Sequence, residues 1–122
     1  MTGKKILVVD DSSSIRELLK ITLEAENYQV TLGIDGLDAL KYLDGRRFDL
    51  IITDLHMPNM NGLELISEVR KKEPYKYVPI LFLTTETKAD LKLQAKKEGA
   101  TGWLTKPFDS DKLKRTVKRV LR

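Results

Sequence analysis

Three aspartates, a threonine and a lysine are the side chains of this sequence best placed to do chemistry. Asp10 and Asp11 follow the apolar run at 6–9, Asp54 follows the run at 50–52, Thr84 the run at 80–83, and Lys106 the weaker run at 103–104. Taken singly, each has a plainer role: the paired aspartates as helix caps, Asp54 as the start of a turn, Lys106 as a solvated lysine. Their shared position just beyond apolar runs is what argues for a common site. Three carboxylates brought together repel, and a buried anionic cluster is costly unless it is protonated or neutralised by a cation. With oxygen donors only, the fitting ion is Mg2+, with Mn2+ as the alternative, rather than zinc. Mg2+ held by one or two carboxylates keeps coordination positions that phosphate oxygens commonly fill. Lys106 offers a positive charge and Thr84 a hydrogen bond, both suited to a phosphoryl group. A carboxylate beside a metal can also act as a nucleophile and form an acyl phosphate. The residues therefore read as a metal-assisted phosphoryl acceptor.

Such a site needs elements that deliver all five side chains to one edge. The runs at 6–9, 50–52, 80–83 and 103–104 are continuous rather than alternating, as suits strands covered on both faces. A fifth candidate strand, 29–32, alternates and is expected nearer an edge. Helical patterns lie between them. Residues 14–26 place Ile15, Leu18, Leu19 and Leu23 on one face, and Ser14 with Glu17 has capping-box spacing. Residues 36–44 offer Leu37, Leu40 and Leu43, 62–72 offer Leu63, Ile66 and Val69, and 110–121 offer Leu113, Val117, Val120 and Leu121. Residues 87–98 supply only Leu91, Leu93 and Ala95, beside a stripe of Lys88, Lys92 and Lys96. Strand and helix alternate five times, which implies an α/β fold with a parallel sheet and helices on both faces. In such sheets ligands bind beyond the carboxyl ends of the strands, where the five side chains lie.

Composition narrows the classes further. At 122 residues the chain suits one domain, spanning 1–122, with no linker or repeat to divide it. It has no cysteine and one histidine, which excludes a disulfide framework, a thiolate zinc site and a cysteine nucleophile. No apolar run approaches the length of a membrane span, and the first residues lack a signal-peptide pattern. The net charge of +4 would ordinarily raise nucleic acid as a partner. Its distribution argues otherwise: residues 1–108 hold 16 basic and 16 acidic side chains, and residues 109–122 hold six and two. The whole excess sits on the last helix, where a basic face suits acidic protein partners, although an ordinary solvated face would look the same.

Val8-Val-Asp-Asp-Ser12, Thr53-Asp-Leu-His-Met-Pro58 with Gly62, Leu83-Thr84 and Thr105-Lys-Pro-Phe108 resemble the receiver domain of bacterial two-component response regulators, above all the stand-alone chemotaxis regulators. The similarity covers essentially the whole chain, in order. It implies a flavodoxin-like, doubly wound (βα)5 fold with strand order 2-1-3-4-5. It implies that Asp54 accepts a phosphoryl group from a sensor histidine kinase. Asp10 and Asp11 would hold Mg2+, Asp11 more directly, with Asp54 and the backbone carbonyl of His56 completing the protein ligands. Lys106 would pair with one phosphoryl oxygen and Thr84 would hydrogen-bond another. Trp103 stands where the family carries an aromatic switch, usually Tyr or Phe; simple packing on a short strand is the alternative. The Lys106–Pro107 peptide is expected to be cis. His56, Thr85 and Glu86 fall at positions that in the family tune water access and so phosphoryl lifetime; all three could equally be solvated rim residues.

The resemblance also implies partners. A chemotaxis-type kinase would donate the phosphoryl group, and a flagellar motor switch protein or another protein target would read the surface of helix 4, strand 5 and helix 5. A phosphatase would reset the switch. The protein is expected to be a cytoplasmic monomer, without membrane or direct nucleic-acid contact and without turnover of a separate substrate. The alternatives are a receiver belonging to a DNA-binding regulator or a phosphorelay intermediate. The last helix, running to Leu121 and Arg122 without a linker, favours a complete single-domain protein. A haloacid-dehalogenase-like phosphatase would need a second aspartate where His56 stands, and the Asp10–Asp11 pair would repel the phosphate of a flavin nucleotide.

Overall fold

The computed structural model describes residues 3–122. Five strands alternate with five α-helices: β1 (Lys5–Val9), α1 (Ser13–Glu24), β2 (Gln29–Gly33), α2 (Gly36–Tyr42), β3 (Leu50–Thr53), α3 (Gly62–Lys71), β4 (Ile80–Thr84), α4 (Ala89–Lys97), β5 (Gly102–Thr105) and α5 (Ser110–Val120). One short 3-10 turn, Glu73–Tyr75, leads into β4. The strands form one parallel sheet in the order β2-β1-β3-β4-β5. That is the α/β, flavodoxin-like order 2-1-3-4-5. The alternating strand of the sequence, β2, lies at an edge and is only partly covered, whereas β3 and β4 are buried throughout.

Because strand side chains point alternately to opposite faces, the apolar runs feed two cores at once. Leu7, Val9, Ile51, Ile80 and Phe82 pack with Leu65, Ile66 and Val69 of α3, Ala39 of α2 and Ala95 of α4. Ile6, Val8, Ile52, Leu81 and Leu83 pack on the other face with Leu19 and Leu23 of α1 and Leu113 and Val117 of α5. Burying one such aliphatic side chain contributes roughly 1.5–3 kcal/mol, so these faces fix which side each helix covers.

Several sequence expectations are corrected at the helix surfaces. Helix α1 begins one residue earlier than its pattern suggests, and its cap is Ser12, whose hydroxyl accepts from the Ile15 amide at 3.3 Å. The Ser14–Glu17 spacing is not the capping box. A genuine one opens α3, where Asn61 and Glu64 exchange backbone-to-side-chain bonds at 2.8 and 3.0 Å. Leu18 and Leu37, read as part of apolar helix faces, are 48% and 49% exposed. In α1 the small Thr22 is buried in place of Leu18, its hydroxyl bonded to the Leu18 carbonyl at 2.8 Å. In α3 the residue missed was Leu65, which is fully buried. Helix α4 is the weakly packed element its sequence suggests, burying only Ala95.

Candidate functional site

Parallel register delivers the acidic residues together. Val9 pairs with Thr53 across β1 and β3, so the next residues, Asp10 and Asp54, leave adjacent strands side by side. The backbone continues the ladder one step beyond the strands: Asp54 N–H donates to Val9 C=O at 3.0 Å, and Asp10 N–H to Gly33 C=O at 3.1 Å. Thr84 pairs with Thr105 across β4 and β5, and Lys106 N–H donates to Thr84 C=O at 2.9 Å. Four strand ends therefore converge on one edge, which is where an open α/β sheet places its ligand.

Carboxylate oxygens of Asp10, Asp11 and Asp54 all lie within 4.8 Å of one another. Asp10 and Asp54 are buried and Asp11 is exposed, so the trio reaches from the sheet edge out to solvent. The Lys106 ammonium bridges the two buried members, 2.6 Å from Asp10 Oδ2 and 2.9 Å from Asp54 Oδ2. The second oxygens are held by amides: Asp10 Oδ1 accepts from Ser12 N–H at 2.9 Å and Asp54 Oδ1 from Leu55 N–H at 2.6 Å.

Burial pushes the Asp10 carboxyl above its ordinary value, against the opposing pull of Lys106 and the Ser12 amide. Burial also works against the Lys106 charge, but the bonds to Asp10 and Asp54 outweigh it and the ammonium is held above its usual value. Three carboxylates against one ammonium leave surplus negative charge on oxygen donors alone. That donor set fits a hard divalent cation such as Mg2+ and offers nothing to a thiophilic one.

The other residues singled out from sequence fall into two groups. Thr84, Glu86 and Trp103 form one connected path. The Thr84 side chain is fully buried, and its hydroxyl accepts from Glu86 N–H at 3.3 Å. The Trp103 indole N–H donates to the Glu86 carbonyl at 3.1 Å. The Trp103 ring is half-buried, with its centroid 5.4 Å from that of Phe82 and Lys92 Nζ 5.8 Å above it. His56 and Glu86, by contrast, meet at the rim, Nε2 to Oε1 at 2.8 Å, a bond that holds the Glu86 carboxyl below its usual value. Thr85 is exposed beside them. The Lys106–Pro107 peptide is cis.

Sequence reasoning missed two contacts besides the His56–Glu86 bond. Arg16 Nη1 donates to the Asp10 carbonyl at 2.7 Å, and Asp35 accepts from Asn59 at 2.8 Å. Nothing local marks Asn59, whose partner lies 24 residues away, and Arg16 reaches back six residues to the end of β1 only once α1 has turned away from the strand.

The response regulator receiver domain family matches residues 6–118. The chemotaxis protein CheY of Pseudomonas aeruginosa is 37% identical over 117 residues, covering 95% of this chain and 94% of that protein. The solved structure of chemotaxis response regulator CheY4 of Vibrio cholerae is 48% identical, superposes with a TM-score of 0.92, and is covered in full by 98% of this chain. Response regulator TrrA of Thermotoga maritima, solved in complex with Mg2+ and BeF, is 40% identical with a TM-score of 0.86, over 97% of this chain and 99% of that one. With the sheet order, the acidic edge and the family match in agreement over almost the whole length, this chain belongs to the response regulator receiver domains of two-component signalling.

Proposed function

We propose that the chain is a phosphorylation-driven switch with Asp54 as its acceptor. The observation that carries the reading is the Lys106 ammonium held between Asp10 and Asp54, beside a third carboxylate within 4.8 Å. An Asp54 oxygen attacks the phosphorus of a phosphohistidine on a sensor kinase. The P–N bond breaks, its electron pair stays on the imidazole nitrogen, which takes up a proton, and the phosphoryl group remains on Asp54 as a mixed anhydride. Asp10, Asp11, Asp54 and the His56 carbonyl would hold Mg2+, which when bound neutralises phosphoryl oxygens.

The chain's own residues do the rest. Lys106 shifts from Asp54 to a phosphoryl oxygen, keeping a cation where charge accumulates. Thr84 turns its hydroxyl from the Glu86 amide to another phosphoryl oxygen. The Glu86 carbonyl is also the partner of Trp103, so this movement is passed to the indole and on to α4, β5 and α5. Thinly packed α4 offers little resistance to such a shift, because few buried contacts mean low local stability. His56 and Glu86, paired at the mouth, shape water's approach to the anhydride, and Thr85 narrows it.

The output we infer is chemotactic: phosphorylation changes affinity for a protein of the motility apparatus, and a phosphatase resets it. In support, the chemotaxis regulators resemble this chain over nearly their full length. No separate substrate is turned over. A pull-down with phosphorylated against unphosphorylated protein, offering a flagellar motor switch protein, DNA and a histidine phosphotransfer domain, tests the output. Enrichment of the motor switch protein is expected; phosphorylation-dependent retention of DNA or of the phosphotransfer domain instead would overturn the chemotactic assignment.

A further inference from the structure

Asp35 is a buried carboxylate, 6% exposed, on the short connection between β2 and α2, and the switch mechanism does not use it. One oxygen caps α2 by accepting from Asp38 N–H at 2.8 Å. The other leaves its own segment and accepts from the Asn59 side-chain amide at 2.8 Å. Alongside it, Gly36 N–H donates to the Met60 carbonyl at 3.3 Å, and a Cβ at 36 would lie 2.7 Å from that carbonyl oxygen. The two segments thus touch through a charge-assisted bond and a backbone bond at once, with space for a glycine only. Asn59 has φ +69°, a left-handed conformation that asparagine tolerates better than most residues. The far end of the same loop carries Asp54 and His56.

We infer that the Asp35–Asn59 bond is a strut that positions the acceptor loop for divalent-cation binding, making Asp35 and Asn59 positioning residues for that site. The physical case is one of reach. The loop 55–61 leaves β3 at Asp54 and re-enters regular structure at Gly62, whose N–H donates to the Leu55 carbonyl at 2.8 Å. Between those anchors, the described hydrogen bonds from the loop to other segments are the rim bond of the His56 side chain to Glu86 and those made by Asn59 and Met60 to Asp35 and Gly36. Releasing the bonds to Asp35 and Gly36 leaves the stretch from which the His56 carbonyl would ligate held only by that exposed rim pair, and Mg2+ tolerates little departure from octahedral geometry. The bond to Asp35 is charge-assisted, which makes it strong for its size; the Asp35 carboxyl is accordingly held below the usual value, chiefly by the Asp38 amide and then by Asn59.

The inference rests on the metal-site reading above, and calorimetric titration of Mg2+ into the phosphate-free protein separates the two. Asn59→Gly keeps the left-handed backbone accessible while deleting the bond. It is expected to weaken Mg2+ binding about tenfold, the lower end of what supporting contacts to metal ligands contribute. The exchanged pair, Asp35→Asn with Asn59→Asp, restores a donor and an acceptor without changing net charge and is expected to bind within about twofold of wild type. Denaturant unfolding run in parallel records stability, which a merely structural strut would alter without touching the Mg2+ dissociation constant of the folded protein. Equal Mg2+ affinity in wild type and Asn59→Gly overturns the strut, as does an exchanged pair no better than Asn59→Gly. Absence of Mg2+ binding in the wild type would instead overturn the metal-site reading itself.

Discussion

Asp10 shows how a single side chain is tuned by what surrounds it. Its carboxyl is raised mainly by burial, so the folded protein holds the Asp10 proton more tightly than the unfolded chain does. By linkage, stability on this account falls as pH climbs from the ordinary value of 3.8 through the raised one, and the penalty persists at neutral pH. Asp10→Asn is therefore expected to be more stable than wild type at pH 7 without Mg2+, with the gap closing as pH drops through that window. Denaturant midpoints measured across the acid range check this, and a gap that widened towards acid would contradict it. At this scale the sequence was informative where chemistry depends on residue type at a strand end: Asp10, Asp11, Asp54, Thr84 and Lys106 were all identified there. It was silent where a partner is supplied by another part of the fold. The His56–Glu86 and Asp35–Asn59 bonds each join residues whose proximity only the folded chain creates.

Elements were legible in existence and order, less so in orientation. Continuous apolar runs marked the strands because both sheet faces are covered by helices. Leu18 and Leu37 were read as part of apolar helix faces because a helical stripe of leucines looks the same whether its margin is covered or not. Neighbouring helices decide that, and Thr22 is inside instead, its hydroxyl satisfied within its own helix. Close approach of α3 to the acceptor strand is another feature that only packing exposes. A Cβ at Gly62 would run into the Asp54 carbonyl and the edge of Phe82. Gly62→Ala is expected to cost about 2–3 kcal/mol, as overpacking against backbone and a buried ring does, despite alanine's better helix propensity. Urea unfolding of this variant measures it; a change below about 0.5 kcal/mol would mean the loop yields freely.

For the molecule as a whole, alternation of strands and helices specified a parallel sheet, but not which strands are neighbours. Spacing along the chain carries no record of the crossover that places β1 between β2 and β3; that order was implied by the family resemblance and is the one found. Charge was legible at this scale too. The basic excess lies on α5, whose Lys112, Arg115, Lys118 and Arg119 are exposed, with Arg122 just beyond it, around the inward Leu113 and Val117. A cavity of about 650 Å3, lined by Tyr28, Leu121 and several of these cations, opens at the opposite end of the sheet from the acidic site. Size of cavity and place of the acidic cluster thus part company in this fold. A cation that binds only the folded state stabilises it by mass action. Mg2+ at a hundred times its dissociation constant is expected to add about 2.7 kcal/mol, read as a rise in melting temperature that Ca2+-free, Mg2+-free buffer does not show. No shift on adding Mg2+ would count against the site.

The central claim is that Asp54 is the phosphoryl acceptor and that the acidic edge serves it. Intact-mass and peptide-mapping spectrometry after incubation with a small acyl phosphodonor tests it most directly. A single phosphoryl group on the peptide containing Asp54 is predicted, requiring Mg2+ and absent from a well-folded Asp54→Asn variant. Labelling that persists in Asp54→Asn, or that proceeds equally well without Mg2+, would contradict the account.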